Sequence, residues 1–407
     1  MDFLRGLLGC IVVLFIAFLF SDNKKKINYR IVVIGAVLQI VFGYIVLKSS
    51  IGRMILDKIS AGFSKVLHYG LEGLTFTFGK LVDPSSSVGF VFAFKVAMLA
   101  VFFTPLIAVL YRFGIMQFVV RIIGGALSKL LGTSRTESVT AASNIFLGMQ
   151  EAPIVIKPYV KLLTRSEMFA VMTGGLASVA GGTLASYAAL GIPVKFLLAA
   201  SFMSAPSGLL FAKIMIPETE TPVKTGSSEV QEADKEDKNI LDVISKGAVD
   251  GMKMAVLIIA MLIAFISLMA LLNGILGGIG SLFGIHGLSF QKILGYIFAP
   301  IAFLIGVPWH QAMTAGNYLG EKIILNEMVA YTSFAPHMHE LSSKTVAIVS
   351  FALCGFANIG SLGILIGGLT AFAEERRAQI TKLGIKAVIA GTLANLMSGA
   401  IAGMFLN

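Results

Sequence analysis

The sequence predicts an all-α polytopic membrane protein with eight transmembrane helices, two re-entrant helical hairpins in inverted repeats, and interfacial helices. Of 407 residues, 56% are hydrophobic and only 13% are charged, against roughly a quarter charged in soluble domains. Mean hydropathy is +0.87, and several apolar runs reach the roughly 20 residues that cross a hydrocarbon core. The third observation is a repeat. Gly175-Leu176-Ala177-Ser178-Val179-Ala180-Gly181-Gly182 recurs 180 positions later as Gly355-Phe356-Ala357-Asn358-Ile359-Gly360-Ser361-Leu362. An apolar segment with a central glutamate precedes each copy, Glu151 before the first and Glu327 before the second. Gly-rich breaks persist at membrane depth only where they pack in protein or line a cavity. Paired breaks in two halves mark a transporter's binding site. A chance match between small-residue packing faces is the plainer alternative, but it leaves the repeated glutamates without a cause.

Apolar runs between charged loops place spans near 3–20, 31–48, 89–111, 168–190, 193–215, 252–275, 345–372 and 387–406. The first resembles a signal peptide in length, but it carries only Arg5 and ends at Ser21-Asp22-Asn23 without a small-x-small cleavage site, so it reads as a retained span. Residues 51–66, with Arg53, Lys58 and Lys65 along an apolar helix, read as interfacial. Residues 124–166 and 288–341 are apolar but interrupted by Gly, Pro and a carboxylate. Each must leave on the side it entered if the basic loops at Lys24–Lys26, Arg112–Arg135 and Arg376–Lys386 are all cytoplasmic, which places both termini outside. The two hairpins are then inverted relative to each other. Segment 217–240 is polar, carries both charge signs and reads as a solvated linker.

The net charge of +10 sits in short loops without interleaved aromatics, so nucleic acid is not an expected partner; membrane lipid is. Cys10 and Cys354 lie in apolar segments and read as small buried hydrophobes. His68, His286, His310, His337 and His339 show no metal-ligand spacing. A phosphate-binding loop is missing, which argues against an ATP-driven pump. A nucleophile–base–orienter set is missing as well, which argues against an enzyme. A channel would need a continuous polar face that no span shows.

Asn144-Ile145-Phe146-Leu147-Gly148-Met149-Gln150-Glu151-Ala152-Pro153 is the densest polar cluster in the apolar part. Pro153 suits a first helical turn, so two half-helices are expected to meet here with N–H groups free for a ligand. Glu151 at membrane depth is either a ligand, proton or cation contact or half of an ion pair with Lys157; Glu327 poses the same choice with Lys322. Asn358 and Ser361, three apart, share a helix face. With Glu327 they suit a neutral ligand carrying several hydroxyls, because the central residues include no Arg or Lys for an anion. Phe356 is a stacking face or core filler.

These segments resemble the concentrative nucleoside transporter family, as in its bacterial members. The first-hairpin signature is similar to Arg135-Thr136-Glu137-Ser138 leading into Asn144 and Glu151-Ala152-Pro153, and the unwound helix after it to Ser178-Val179-Ala180-Gly181. Second-half signatures match Gly306-Val307-Pro308-Trp309, Asn326-Glu327-Met328-Val329-Ala330-Tyr331 and Gly355-Phe356-Ala357-Asn358. The resemblance implies a homotrimer in the cytoplasmic (inner) membrane that imports nucleosides with sodium, or alternatively with protons through Glu151 or Glu327. It implies ribose contacts at Glu327, Asn358 and Ser361, and base contacts at Met149, Gln150, Glu151, Thr183 and Phe356. It implies a sodium site at Asn144 and Ser178 with the carbonyls of Leu147 and Val179; an all-oxygen set suits a hard cation. By the same resemblance, 1–111 and 251–287 form scaffold, 112–216 and 288–407 the two transport repeats, and 217–250 a polar linker with an interfacial helix. Where many members read Gly-Gln-Thr-Glu, this chain reads Gly148-Met149-Gln150-Glu151. That departure points to a different base preference, with purines the candidate.

Overall fold

The computed structural model describes residues 2–82, 90–223, 239–285 and 287–406. The helices are α1 (Asp2–Leu19), α2 (Tyr29–Leu47), α3 (Ser50–Phe78), α4 (Phe92–Lys95), α5 (Ala100–Arg112), α6 (Ile115–Leu131), α7 (Arg135–Ser143), α8 (Arg165–Ala177), α9 (Gly181–Ala189) and α10 (Val194–Met215). They continue as α11 (Ile240–Leu282), α12 (Phe290–Leu304), α13 (Trp309–Ile324), α14 (Glu327–Phe334), α15 (Ser343–Leu353), α16 (Ile359–Thr370) and α17 (Arg377–Phe405). Tighter 3-10 stretches at Ala152–Leu162 and Ala335–Glu340 follow α7 and α14. Among the described residues there is no strand, and the all-α polytopic architecture stands.

Local chemistry fixes the helix starts. Ser134 and Thr164 each close a capping box, with Glu137 and Glu167 reaching back to the cap N–H, which satisfies two orphan donors per helix. Asn326, Ser342 and Asn358 accept from the third helical N–H of α14, α15 and α16. At Gly306, with φ +111°, the chain turns between α12 and α13, whose axes differ by 116°; that backbone region favours glycine.

Element order repeats. The series α6, α7, 3-10 stretch, α8/α9, α10 is matched by α12, α13, α14, α15/α16, α17. The same spacing separates Thr164 from Ser342 and Ala180 from Asn358, the caps of matching helices. The longer second break is offset by an α15 two residues shorter than α8, so the caps keep one spacing and Asn358 corresponds to Ala180, whereas the Gly-rich sequences pair it with Ser178. The apolar regions expected to be single hairpins take in more than that, the second half of α6 in 124–166 and all of α12 in 288–341; α6 is walled off by Gly114 and Gly132, both with positive φ. Residues 240–250 belong to the 43-residue α11 and not to a separate interfacial helix. Most of the expected linker, and His286, lie outside the described residues; the linker's first residues are tied down, with Thr164 Oγ1 donating to Glu218 at 2.9 Å.

Burial separates the two populations of helices. The apolar windows of α2 and α11 are 28% and 17% buried, whereas those of α8–α9 and α17 are 89% and 83% buried. Helix α17 packs on α1, α8, α10 and α15, and α5 lies along α11. The most buried helices are therefore the broken ones and those packed against them.

A candidate binding site at two touching helix breaks

Between α8 and α9 the backbone becomes extended at Ser178 (φ −111°, ψ 175°) and Ala180 (φ −69°, ψ 147°). Between α15 and α16 it does so at Asn358 (φ −147°, ψ 168°). The breaks meet through the backbone, with Phe356 N–H donating to Ser178 O at 3.1 Å, and Gly181 N–H donates to Phe146 O at 3.0 Å. Polar backbone freed by the breaks is thus partly re-paired across elements, as burial requires.

Glu327 opens α14 and is 5% exposed. Its Oε1 accepts from Tyr187 Oη at 3.0 Å and its Oε2 from Asn358 Nδ2 at 2.8 Å. Asn358 Oδ1 accepts Ser361 N–H at 2.7 Å, so capping α16 turns the amide nitrogen toward Glu327. Tyr187 lies against Tyr331 at 4.4 Å between ring centroids, and Tyr331 donates to Ser350 O at 2.7 Å. An ionised carboxylate offers about four acceptor positions; two protein donors leave room for two more. Lys322 is not paired with Glu327: its ammonium donates to Ala352 O at 2.9 Å and Asn395 Oδ1 at 2.6 Å.

Asn144 caps the C-terminal end of α7 and is 1% exposed, yet neither its Oδ1 nor its Nδ2 has a hydrogen-bond partner. Leaving both buried is costly, about 1–3 kcal/mol per group. It lies against Gly174, and Ser178 Oγ donates to Gly174 O at 2.9 Å. A hydroxyl that gives its hydrogen away keeps its lone pairs for another partner. Among the described residues no backbone hydrogen bond between elements ends on Leu147 O or Val179 O. The donor set Asn144, Ser178, Leu147 and Val179 thus fits a hard monovalent cation.

The remaining expected residues divide. Met149 is buried against Gly175 of α8. Gln150 is exposed and lies along Gly368 of α16, and Glu151 is exposed with its carboxylate folded over Gly148. Among the described residues Glu151 makes no ion pair with Lys157, which is also exposed. Thr183 is buried with its hydroxyl unpartnered, and Phe356 is buried. Sequence reasoning missed Tyr187, the one aromatic in α9, and Asn395, an amide in the apolar second half of α17.

Outside the spans, Asp22 joins Lys386 and accepts from Arg165 at 2.7 Å. Burial opposes its ionisation, but Lys386 and Arg165 outweigh burial and hold the carboxyl below its ordinary value.

Comparison with known proteins places these features. Residues 196–403 match the profile of the Na+ dependent nucleoside transporter C-terminus, 8–81 that of its N-terminus, and 93–193 that described as nucleoside recognition. The chain is 46% identical to the nucleoside permease NupC of Helicobacter pylori over 99% of this chain and 98% of that one. It is 36% identical to human solute carrier family 28 member 3 over 97% of this chain and 59% of that one. The solved structure of CNTnw in an inward-facing substrate-bound state superimposes with a TM-score of 0.95 at 48% identity, covering 100% of this chain and 98% of that one. The chain belongs to the concentrative nucleoside transporter family, a family of membrane transporters and not of enzymes.

Proposed function

We propose that this nucleoside transporter is a sodium-coupled symporter that imports nucleosides across the inner membrane as a homotrimer. Its substrate would sit at the Glu327–Asn358 pair and its coupling ion at Asn144 and Ser178, with the carbonyls of Leu147 and Val179. The observation that carries the reading is the buried, doubly unpartnered amide of Asn144 beside a hydroxyl with free lone pairs. The ion would supply the positive charge that this set of oxygens lacks. We assign α7 with 152–162, and α13 with α14, as the two re-entrant hairpins. The repeats 112–216 and 288–407 would move against the scaffold formed by 1–111 and α11, joined by the linker 217–239.

Ribose hydroxyls would donate to the free acceptor positions of Glu327 and meet Asn358 and Ser361. Hydrogen bonds to a charged group are worth about 1.5–3 kcal/mol each. Met149, Gln150, Glu151, Thr183 and Phe356 would face the base, with purines favoured because Met149 and Gln150 stand where many members carry Gln and Thr.

Thermal unfolding of purified protein in sodium and in choline tests the ion site. A ligand that binds only the folded state stabilises it by RT ln(1 + [L]/Kd). Sodium should raise the melting temperature of the wild type and not that of Asn144→Ala. Equal sodium shifts in both proteins would remove Asn144 from the ion site, and no shift in either would remove sodium.

A further inference from the structure

Asn395 lies midway along α17, 2% exposed, and reaches both helix breaks at once. Its Nδ2 donates to Ala177 O, at the end of α8, at 2.7 Å and to Cys354 O, just past α15, at 3.1 Å. Its Oδ1 accepts from Lys322 Nζ at 2.6 Å, and the same ammonium donates to Ala352 O at 2.9 Å. Gly355 packs directly on this amide, where a side chain would collide with it.

Orientation is the point of the arrangement. An amide can turn either way round, but an ammonium carries donors only. Lys322 therefore fixes the oxygen of Asn395 toward itself and the NH2 group toward the two carbonyls. The ammonium, 1% exposed, makes no ion pair among the described residues, although it lies within electrostatic reach of Glu327, and it sits at the C-terminal end of α15, the negative end of that helix dipole. A buried charge without a carboxylate partner is expensive, so a role beyond packing is expected of it. On one side the clamp holds Ala177, next to Ser178; on the other it holds the segment leading to Asn358.

We propose that Lys322 and Asn395 are positioning residues that couple the two sites, so that occupancy at Asn144 and Ser178 changes nucleoside affinity at Glu327 and Asn358. This rests on the sodium-coupled reading. Coupling free energies between sites correspond to about 5–150-fold changes in affinity, and removing the clamp should collapse most of that factor. The backbone bond from Phe356 to Ser178 stays in place and keeps the breaks in contact.

The test is nucleoside affinity of the purified transporter by calorimetry, in saturating sodium and in choline, for wild type, Lys322→Gln, Lys322→Met and Asn395→Ser. Ser398→Ala is the control, since Ser398 lies on the same helix and its hydroxyl, among the described residues, donates only to Ala394 O in the preceding turn. Each variant is first checked for monodispersity and cooperative melting, and Lys322→Gln keeps a donor for Ala352 O should the others fail to fold. The expected result is a wild-type affinity ratio of about tenfold or more that falls severalfold in the clamp variants and is kept in Ser398→Ala. Clamp variants that weaken binding equally with and without sodium, leaving the ratio at its wild-type value, would overturn the coupling role. A wild type whose affinity ignores sodium would overturn the sodium reading and the clamp together.

Discussion

Asn358 donates to Glu327 at 2.8 Å while its own oxygen caps α16 at Ser361. One side chain thereby starts a half-helix and aims a donor at a buried carboxylate. Glu327→Gln would place an amide opposite that donor, and Asn358→Ala would remove both the cap and the donor. Each should reduce nucleoside affinity at least tenfold, in line with about 1.5–3 kcal/mol per bond to a charged group. Asn358→Ala should also lower stability by about 1 kcal/mol through the lost cap. Uptake at wild-type rates with normal expression would take the residue out of the site.

Tyr187→Phe isolates the second donor to Glu327. It removes one O–H group and leaves the contact with Tyr331. Affinity should fall by about tenfold, with little change in maximal rate because the ring remains. Unaltered concentration dependence of uptake would show that Tyr187 does not orient the carboxylate.

Base and sugar contacts should separate. Replacing Met149 and Gln150 with Gln and Thr is expected to shift the purine-to-pyrimidine ratio in competition assays, while free nucleobases stay excluded. Sites built to bond a hydroxyl reject analogues lacking it far more strongly than apolar walls reject a size change. Identical competition profiles before and after the swap would show that the tip between α7 and Ala152 does not read the base.

Asp22 gives a pH signature outside the spans. Its lowered value means that the carboxylate's stabilisation is present above the ordinary 3.8 and is lost as pH falls through the folded-state value. Pairs this exposed contribute about 0.2–1 kcal/mol. Asp22→Asn should melt slightly below the wild type at neutral pH, and the gap should close below pH 3.8. A gap that persists unchanged in acid would assign the effect to packing.

Periodicity, polarity and the Gly-rich repeat located both breaks, Glu327, Asn358 and Ser361, because these signals are local in sequence. Tyr187 was not legible, since its partner lies 140 positions away and only the packing of α9 on the second half brings them together. Asn395 looked like any polar residue in an apolar helix; its meaning depends on two carbonyls from other elements. Lys322, five positions before Glu327, was one candidate partner for that acid, but helix geometry sends it to Ala352 and Asn395. Helix α12 merged with the hairpin after it because Gly306-Val307-Pro308 leaves no polar gap in the sequence, whereas α6 ends at a short polar turn, Gly132-Thr133-Ser134, that is no longer than those inside the hairpin.

The central claim is tested most directly by nucleoside uptake into proteoliposomes with sodium and proton gradients imposed separately. Accumulation above equilibrium under an inward sodium gradient is predicted for the wild type, with none under a proton gradient alone and none for Asn144→Ala in sodium. Uptake that is full without sodium and follows only the proton gradient would contradict the account and make the transporter proton-coupled.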